Sequence, residues 1–291
     1  MKQKLRNGET IIAENKQDKL LKKLYTNVFG RFFVKIVSFP VFSKMAGFYL
    51  STKFSRRMIK PFIEKNNIDM SLFEDVEYKN YNEFFSRKIK KDKRPIDYNP
   101  DAFISPCDSK LTVLKISSDT LFTLKHTTYS VSSLLKNEAL AKEYDGGYVL
   151  IFRLTVDDYH RYCYTDNGKK EKNTFIKGKL HTVNPIANDY YPIYKENSRS
   201  YSILHSENFG DIITMEVGAL LVGKIVNHHE EAEVKRGEEK GFFKFGGSTV
   251  VLMVKKDTVK IDEDILKNSE EDFETVVKYG EKIGKACAKQ I

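Results

Sequence analysis

The sequence predicts an α+β fold: a β-rich core of antiparallel strands, built as a sandwich or distorted barrel, with a basic amphipathic helical region at the N-terminus. Two observations predict it. Beyond residue 66, short β-like runs alternate with Gly, Pro, Asn and Asp and lack regular intervening helices. Before that point, aromatic and aliphatic residues recur at helical spacing. With 291 residues, 41% of them hydrophobic, the chain is long enough to bury a sizeable core.

The N-terminal helices are predicted from a periodic apolar pattern. Phe29, Phe32, Phe33 and Ile36 fall at i, i+3, i+4 and i+7, which places them on one helical face. Pro40 is expected to end this helix and to allow a second one after it.

The positive charge of the chain is concentrated in the same region. Residues 1–65 contain 15 Lys and Arg against 4 Asp and Glu, whereas the rest of the chain has 34 against 36. Basic side chains interleaved with aromatic rings are typical of a helix that lies in the interface of an anionic membrane. We therefore predict that residues 1–65 form a membrane-surface-binding region. The alternative is a helical hairpin that packs on its own domain with a solvated basic face.

Residues 66–291 are predicted to form the β-rich domain. One short helix is expected near its start, over residues 80–89, and the C-terminal tail is expected to contain a strand and a short helix. The strand-like runs of this domain are KLTVLKI, GYVLIFRL, NTFIKGKLHTV, SYSILHS, DIITMEVGALLVGKIV and STVVLMV.

The composition also predicts the cellular compartment of the protein and whether it binds a metal. No run approaches the roughly 18 apolar residues of a spanning helix, and the first residues lack the apolar core of a signal peptide. The three cysteines, Cys107, Cys163 and Cys287, show neither a zinc-ligand spacing nor a disulfide framework. We expect a cytoplasmic protein with reduced thiols and no metal site.

Three polar residues of the β-rich domain are the candidates for chemistry: Asp108, His160 and Ser248. Each has an ordinary structural explanation, as a turn residue, a buried histidine and the neighbour of a Gly-Gly bend respectively. Together they are the types needed to deprotonate a hydroxyl and to stabilise the resulting imidazolium.

The residues around Ser248 argue against an ordinary serine hydrolase. Such an enzyme presents its serine on a G-x-S-x-G turn between a strand and a helix, but Ser248 is followed by a strand-like run. Because Gly247 lacks a Cβ, it tolerates the strained backbone that brings a serine hydroxyl onto the preceding carbonyl carbon. The pattern is therefore compatible with a chain that cuts itself between Gly247 and Ser248.

Several motifs of the chain occur in the same order in a known family. They are FFSRK (84–88), SPCDSK (105–110), DDYHRY (157–162), LHTVNP (180–185), ENSR (196–199), EVGALLVGKI (216–225) and GEEKGFFKFGGSTVV (237–251). With these motifs, most of the chain resembles the phosphatidylserine decarboxylases, pyruvoyl-dependent enzymes that make phosphatidylethanolamine. The last motif is the most specific, because it resembles the self-cleavage site of that family.

The resemblance implies a complete function. Ser248, deprotonated by a histidine that Asp108 orients, would attack the Gly247 carbonyl and become a pyruvoyl group, leaving a β fragment (1–247) and an α fragment (248–291). The pyruvoyl ketone would form a Schiff base with the amine of phosphatidylserine and act as electron sink when CO2 leaves. No metal or added cofactor is implied. The enzyme would be a heterodimer of its own fragments, peripheral on the cytoplasmic face of the cell membrane.

The chain departs from the family pattern in ways that leave the base of self-cleavage open. Cys163 stands where the family commonly has a second histidine after D-Y-H-R-x, so we predict His160 as the base and keep His181 as the alternative. A loss of processing is the other possible consequence. Ser109 replaces a glycine that usually follows the aspartate, which affects the expected turn geometry.

Functions of other classes remain open at the level of sequence. One is a serine hydrolase that uses the same three residues on an uncleaved chain, and another is a non-enzymatic basic protein that binds anionic membranes or nucleic acid. Nucleic acid is disfavoured because the basic excess is confined to the apolar N-terminus and no base-reading module follows. Asn197 and Arg199 are hypothesised to bind a substrate carboxylate or phosphate.

Overall fold

A computed structural model of the chain describes residues 2–12, 26–27, 30, 40–124, 127–179, 193–218, 224–245 and 248–287. The α-helices within these ranges are α1 (Pro40–Leu50), α2 (Ile59–Asn66), α3 (Tyr81–Phe85), α4 (Val131–Leu135), α5 (Glu138–Lys142), α6 (Ile193–Glu196) and α7 (Glu263–Glu270). Short 3-10 helices cover Lys53–Met58, Met70–Leu72 and Lys91–Lys93.

Strands are the main regular structure of the described chain beyond α3. The strands are β1 (Lys2–Lys4), β2 (Thr10–Ile12), β3 (Ala102–Ile104), β4 (Ser109–Lys115), β5 (Leu121–Leu124), β6 (Thr127–Ser130), β7 (Tyr148–Leu154), β8 (Arg161–Cys163), β9 (Gly168–Lys170), β10 (Thr174–Ile176), β11 (Arg199–Ser206), β12 (Gly210–Val217), β13 (Ile225–Asn227), β14 (Ala232–Val234), β15 (Glu239–Phe243), β16 (Ser248–Val254), β17 (Val259–Ile261), β18 (Glu274–Val277) and β19 (Lys282–Ala286).

One large sheet organises the molecule. Its strand order is β14-β9-β11-β12-β16-β7-β4-β18-β1-β2, and β10 also pairs with β11. Smaller sheets are formed by β13-β15-β8, by β17-β19-β3 and by β5-β6. The pairings are antiparallel except that of β1 with β18.

Both faces of the large sheet are covered, which explains why its central strands are uninterrupted apolar runs. On β16 the even-numbered Val250, Leu252 and Val254 belong to one core, and the odd-numbered Val251 and Met253 belong to the other. The even face is covered by the two three-stranded sheets and α7, and the odd face by the β5-β6 hairpin with α4, α5 and α6. The predicted β-rich α+β fold is confirmed, in the form of open, layered sheets.

The helices nearest the N-terminus form a third core beside the large sheet. Leu50 of α1 packs with Tyr81, Phe84 and Phe85 of α3, and the partly buried Phe245 joins them. Within the described ranges, no helix combines the length and apolar character that crossing a membrane requires.

The first residues belong to the large sheet. Gln3 and Lys4 pair with β18, and the Arg6 guanidinium bonds the carboxylates of Asp262 and Asp264 at 2.9 and 2.5 Å. Part of the predicted N-terminal region thus pairs with strands of the β-rich architecture, and a domain boundary near residue 65 stays a prediction.

We expect the substitution Leu252→Ala to lower the free energy of unfolding by about 2–5 kcal/mol, because it removes a fully buried side chain from the middle of β16. The matched control is Lys260→Ala, an exposed position on β17, which should change it by less than about 0.5 kcal/mol. Both are measured by urea titration in a Ser248→Ala background, which keeps the chain in one piece. Equal midpoints for the two variants would contradict the two-sided core.

Candidate active site

The three predicted site residues lie at one end of the large sheet. Asp108 immediately precedes β4, and Ser248, the first residue of β16, pairs with Leu154, the last residue of β7. His160 follows β7 by one short loop and precedes β8. Because neighbouring strands are antiparallel, the start of β4, the end of β7 and the start of β16 lie at the same end of these central strands. This end of the strands is called the site edge below.

His160 is held as a neutral base. Its Nδ1 lies 2.9 Å from the backbone oxygen of Asp158. A carbonyl oxygen only accepts, so Nδ1 carries the proton and Nε2 carries the lone pair. The ring is fully buried, and Nε2 has no hydrogen-bond partner within the described part of the chain. Burial lowers the pKa of His160 to about 3, so the imidazole is neutral at physiological pH.

Ser248, like His160, is buried and has a polar atom without a partner among the described residues. Its side chain is fully buried, and its Oγ forms no hydrogen bond with any described residue. A buried hydroxyl without a partner is costly, and the hydroxyls of Ser109 and Thr249 share this state, so it leaves Ser248 free to react without singling it out. Its alternation along β16 places it on the even face of the sheet, with Val250.

Aromatic side chains link the histidine to the segment that leads to the serine. The Phe85 ring lies 4.1 Å from the His160 ring and 5.3 Å from the Phe245 ring, measured between centroids. The Phe243 N–H also donates to the His160 carbonyl at 2.9 Å. The surroundings of the base are therefore apolar on the side of the predicted cleavage site.

Asp108 has other partners than the predicted one. The single Nε–H of Arg94 is shared between the two Asp108 carboxylate oxygens, at 2.8 and 3.2 Å, while Arg94 Nη2 donates at 2.6 Å and the Tyr279 N–H at 2.8 Å. No hydrogen bond joins Asp108 to His160 in the structure, where a backbone carbonyl holds the imidazole instead. A catalytic role for Asp108 stays a prediction.

Asp158 lies two residues before His160, in the motif DDYHRY (157–162), and it positions the histidine through its backbone oxygen and not through its carboxylate. The carboxylate lies 2.6 Å from Lys110 Nζ and accepts the Thr155 N–H at 2.7 Å, which fixes the loop between β7 and the histidine. Burial opposes this charge, but the Lys110 ammonium and the Thr155 bonds outweigh it and hold the pKa of Asp158 below its usual value.

The two departures from the family pattern have structural explanations. Cys163 is buried, and burial raises the pKa of its thiol to about 12, so it is protonated and cannot replace a histidine as base. Ser109 is the first residue of β4 and pairs with Val277, so this position is part of a regular strand.

The remaining predicted residues divide into two groups. Gly247 and His181 lie outside the described residues. Arg199 is buried and directs its guanidinium to the carbonyl oxygens of Leu134, Ser133, Lys195 and Asn197 at 2.7–3.1 Å. These bonds use four of the five guanidinium N–H groups and connect β11 to α4 and α6. Binding of a substrate carboxylate or phosphate by Asn197 and Arg199 stays a prediction.

Comparison with known proteins gives the family of the chain. The family model described as phosphatidylserine decarboxylase matches residues 81–285. The chain belongs to the phosphatidylserine decarboxylase family. It is 48% identical to phosphatidylserine decarboxylase proenzyme 2 of Clostridium acetobutylicum over 265 residues, which cover 91% of each chain.

Two further relatives extend the match over nearly the whole chain. The phosphatidylserine decarboxylase proenzyme of Clostridium botulinum is 43% identical over 285 residues, covering 96% of this chain and 97% of the relative. That of Ruminiclostridium cellulolyticum is 44% identical over 278 residues, covering 94% and 93%. The predicted family and the predicted enzyme class, a carboxy-lyase, are confirmed.

The neutral, buried His160 of this decarboxylase-family chain predicts a specific pH dependence of stability. The unfolded chain binds a proton at this histidine near its ordinary pKa of about 6.5, whereas the folded chain does so only near pH 3. Between these values the unfolded state binds more protons, so falling pH destabilises the fold by about 1.4 kcal/mol per pH unit from this group. In urea titrations from pH 7.5 to 4.5, His160→Asn should remove that part of the slope.

His205 is the matched control. It is nearly half exposed, and its hydrogen bonds to Asp211 and Glu171 raise its pKa, so its contribution is present at low pH and lost as pH rises through the raised value. His205→Asn should therefore lose stability at pH 5 relative to pH 8. If His160→Asn leaves the slope of the parent chain unchanged, the neutral buried imidazole is wrong.

Proposed function

We propose that this chain is a proenzyme that cleaves itself between Gly247 and Ser248 and then decarboxylates phosphatidylserine to phosphatidylethanolamine. The observation that carries the proposal is that two buried groups stand at the same end of the large sheet: the Oγ of Ser248 and the unprotonated Nε2 of His160, neither with a partner among the described residues. A serine that begins a central strand is suited to attack on its own chain, whereas a serine hydrolase presents its serine on a turn between a strand and a helix.

The proposed self-cleavage begins with proton transfer. His160 Nε2 takes the proton of Ser248 Oγ, which attacks the Gly247 carbonyl carbon. The C–N bond breaks, the imidazolium returns the proton to the departing nitrogen, and the amide has become an ester. Removal of the Ser248 α-proton then expels the Gly247 carboxylate and leaves a dehydroalanine. Water adds to its imine form, ammonia leaves, and a pyruvoyl group remains at the new N-terminus.

The residues at the site fit such a group. When formed, its ketone supplies an electron sink for the carboxylate bond of an amine substrate. His160 remains beside it, neutral and fixed by the Asp158 carbonyl, where it can accept and return a proton. The rings of Phe85 and Phe245 exclude water from this side, which favours the loss of a charged carboxylate as neutral CO2.

The architecture supports a complex of the two fragments after cleavage. Every residue of β16, from Ser248 to Val254, pairs with β7, and most of the strand also pairs with β12. Arg153 of β7 also binds Glu274 of β18 through two bonds of 2.7 and 2.5 Å. The α fragment would therefore stay in the sheet without a covalent link.

For Asp108 we propose a positioning role between the fragments. It connects Arg94, in the β fragment, to the Tyr279 N–H, in the α fragment. This link holds the start of β4 next to the end of β18, at the site edge.

We also propose that the N-terminal helices dock the site on the anionic, cytoplasmic face of a membrane. Val41, Met45 and Phe48 fall at i, i+4 and i+7 of α1 and are 62–77% exposed, and Phe54 is 75% exposed. Basic side chains that lie exposed beside them are Lys53, Arg56, Arg57 and Lys60. Rings that enter the headgroup boundary next to lysines and arginines are the pattern of a monotopic surface.

Ser248→Ala should abolish both cleavage and decarboxylation, because it removes the nucleophile and the precursor of the ketone. The parent chain should appear on a denaturing gel as two fragments, and the smaller one should have the intact mass of residues 248–291 with a pyruvoyl terminus. His160→Ala should slow cleavage by about a hundredfold or more. An intact parent chain with unmodified Ser248 would refute the mechanism.

Two matched variants test the choice of base. Cys163→Ala should cleave at the parent rate, because its thiol is protonated and has no part in the proton transfer. His181→Ala should also cleave normally. If His160→Ala retains the parent thermal midpoint and cleaves at the parent rate while His181→Ala does not, the base is His181.

Phe48→Ser with Phe54→Ser should reduce flotation with liposomes that contain anionic lipid by about tenfold, because two exposed rings leave the interface. Tyr98→Ser, which removes another side chain that is 71% exposed outside this surface, should float like the parent. Binding that depends on neither the two rings nor the salt concentration would contradict the docking surface.

A further inference from the structure

A cavity of about 530 Å³, lined by both polar and apolar groups, lies on the even face of the large sheet, beside the candidate active site. That volume is ample for a small polar ligand. Its lining combines amide, hydroxyl and charged side chains with one exposed ring, contributed by Asn173, Phe175, Ser198, Ser200, Gly218, Lys224, Ile225, Val226, Asn227 and Glu230.

Strand register connects this cavity to Ser248. Val217 of β12 pairs with Thr249, so the next residue along, Gly218, comes opposite Ser248. The Gly218 N–H donates in turn to the Ser198 carbonyl at 2.9 Å, across the next pair of strands. Ser248 and Ser198 are thus two strand spacings, about 10 Å, apart. Gly218 has no side chain to separate them.

The charges around the cavity favour an anion. Lys224 lines it and is exposed, and Lys240 and Lys170 are buried behind the wall. Lys240 Nζ is paired with Glu216 at 2.6 Å, whereas the partners of Lys170 among the described residues are the backbone oxygens of Glu171 and Glu230. The three cations face two carboxylates, those of Glu216 and Glu230, so the local balance is positive.

Neutral polar side chains complete the lining. The amide nitrogen of Asn227 donates to Glu216 at 3.1 Å and to Asn173 at 3.3 Å, so this residue shapes the wall and has no N–H left for a ligand. The hydroxyl of Ser200, a largely buried residue of the lining, and the Lys224 ammonium are the side-chain donors for phosphate oxygens.

We propose that this cavity binds the phosphodiester of the lipid headgroup, with Lys224 as its cation and Ser200 as a donor. The inference rests on the proposed function. In a phosphoserine headgroup only two carbons and one oxygen separate the amine nitrogen from the phosphorus. An amine that reacts at position 248 therefore places its phosphate in the cavity, and its carboxylate remains near the aromatic side of the site.

Binding can be measured without any activity. In a chain with Ser248→Ala, calorimetry should detect glycerophosphoethanolamine, which has the phosphodiester and lacks the carboxylate. Lys224→Met should weaken this binding by about tenfold or more, the value of one charge-assisted hydrogen bond, and Lys224→Arg should retain most of it. Lys260→Met, which removes an equal charge from β17 outside the cavity, should leave it unchanged.

Competing probes distinguish the source of the phosphate. Free serine should not compete, and inorganic phosphate should compete only weakly because it lacks the rest of the headgroup. If serine displaces glycerophosphoethanolamine from the Ser248→Ala chain, the site is a carboxylate site. If inorganic phosphate binds and glycerophosphoethanolamine does not, the headgroup assignment is wrong.

Kinetics give an independent readout. In the cleaved enzyme, Lys224→Met should raise KM for a short-chain phosphatidylserine by about tenfold, with kcat within about twofold and normal self-cleavage. A fall in kcat alone, or the same KM as Lys260→Met, overturns the proposal. Failure of the parent chain to cleave would refute the proposed function, whereas the calorimetry on the Ser248→Ala chain would still decide the cavity.

Discussion

The position of β16 in the middle of the large sheet is the constraint on which the rest of the molecule depends. Hydrogen bonds to β7 and β12 fix it on both edges, and separate apolar cores cover its two faces. A strand so enclosed cannot shift its register by one residue without moving every side chain to the opposite core. Its first residue, Ser248, is therefore placed by the whole fold.

Burial at the site edge determines the chemistry as much as the identity of the residues does. In water, a histidine near pH 6 is partly protonated and a serine hydroxyl is solvated. Here the imidazole is kept neutral, and one hydrogen bond to the Asp158 carbonyl selects the nitrogen that is free. The Asp158 carboxylate is a charged group close to the imidazole, and an ion pair with Lys110 neutralises it.

The sequence was sufficient to predict the strands that are buried on both faces. The runs that became β7 and β16 are apolar at nearly every position, and this pattern is characteristic of central strands. Motif order was sufficient to select Asp108, His160 and Ser248 as candidates, and in the structure their segments lie at the same end of the large sheet. Their roles in catalysis stay a prediction.

Contacts that depend on three-dimensional placement could not be predicted. The partner of His160 is a backbone oxygen, which every residue possesses and which no residue type reveals. Arg94 was one of many basic residues until the fold placed it against Asp108. The strands over residues 2–12 are too short to produce a pattern, and their parallel partner lies about 270 residues away along the chain.

That long-range pairing affects how the molecule loses its fold. The hairpin of residues 2–12 pairs with β18 and forms ion pairs with the segment before it. The first residues of the prospective β fragment therefore bind the C-terminal part of the prospective α fragment. While the chain is whole, unfolding and refolding are unimolecular. After a cut before β16, refolding requires two molecules to associate, because the short fragment does not fold without its neighbouring strands in the sheet. Such an enzyme folds once, and its lifetime is then governed by the rate of unfolding.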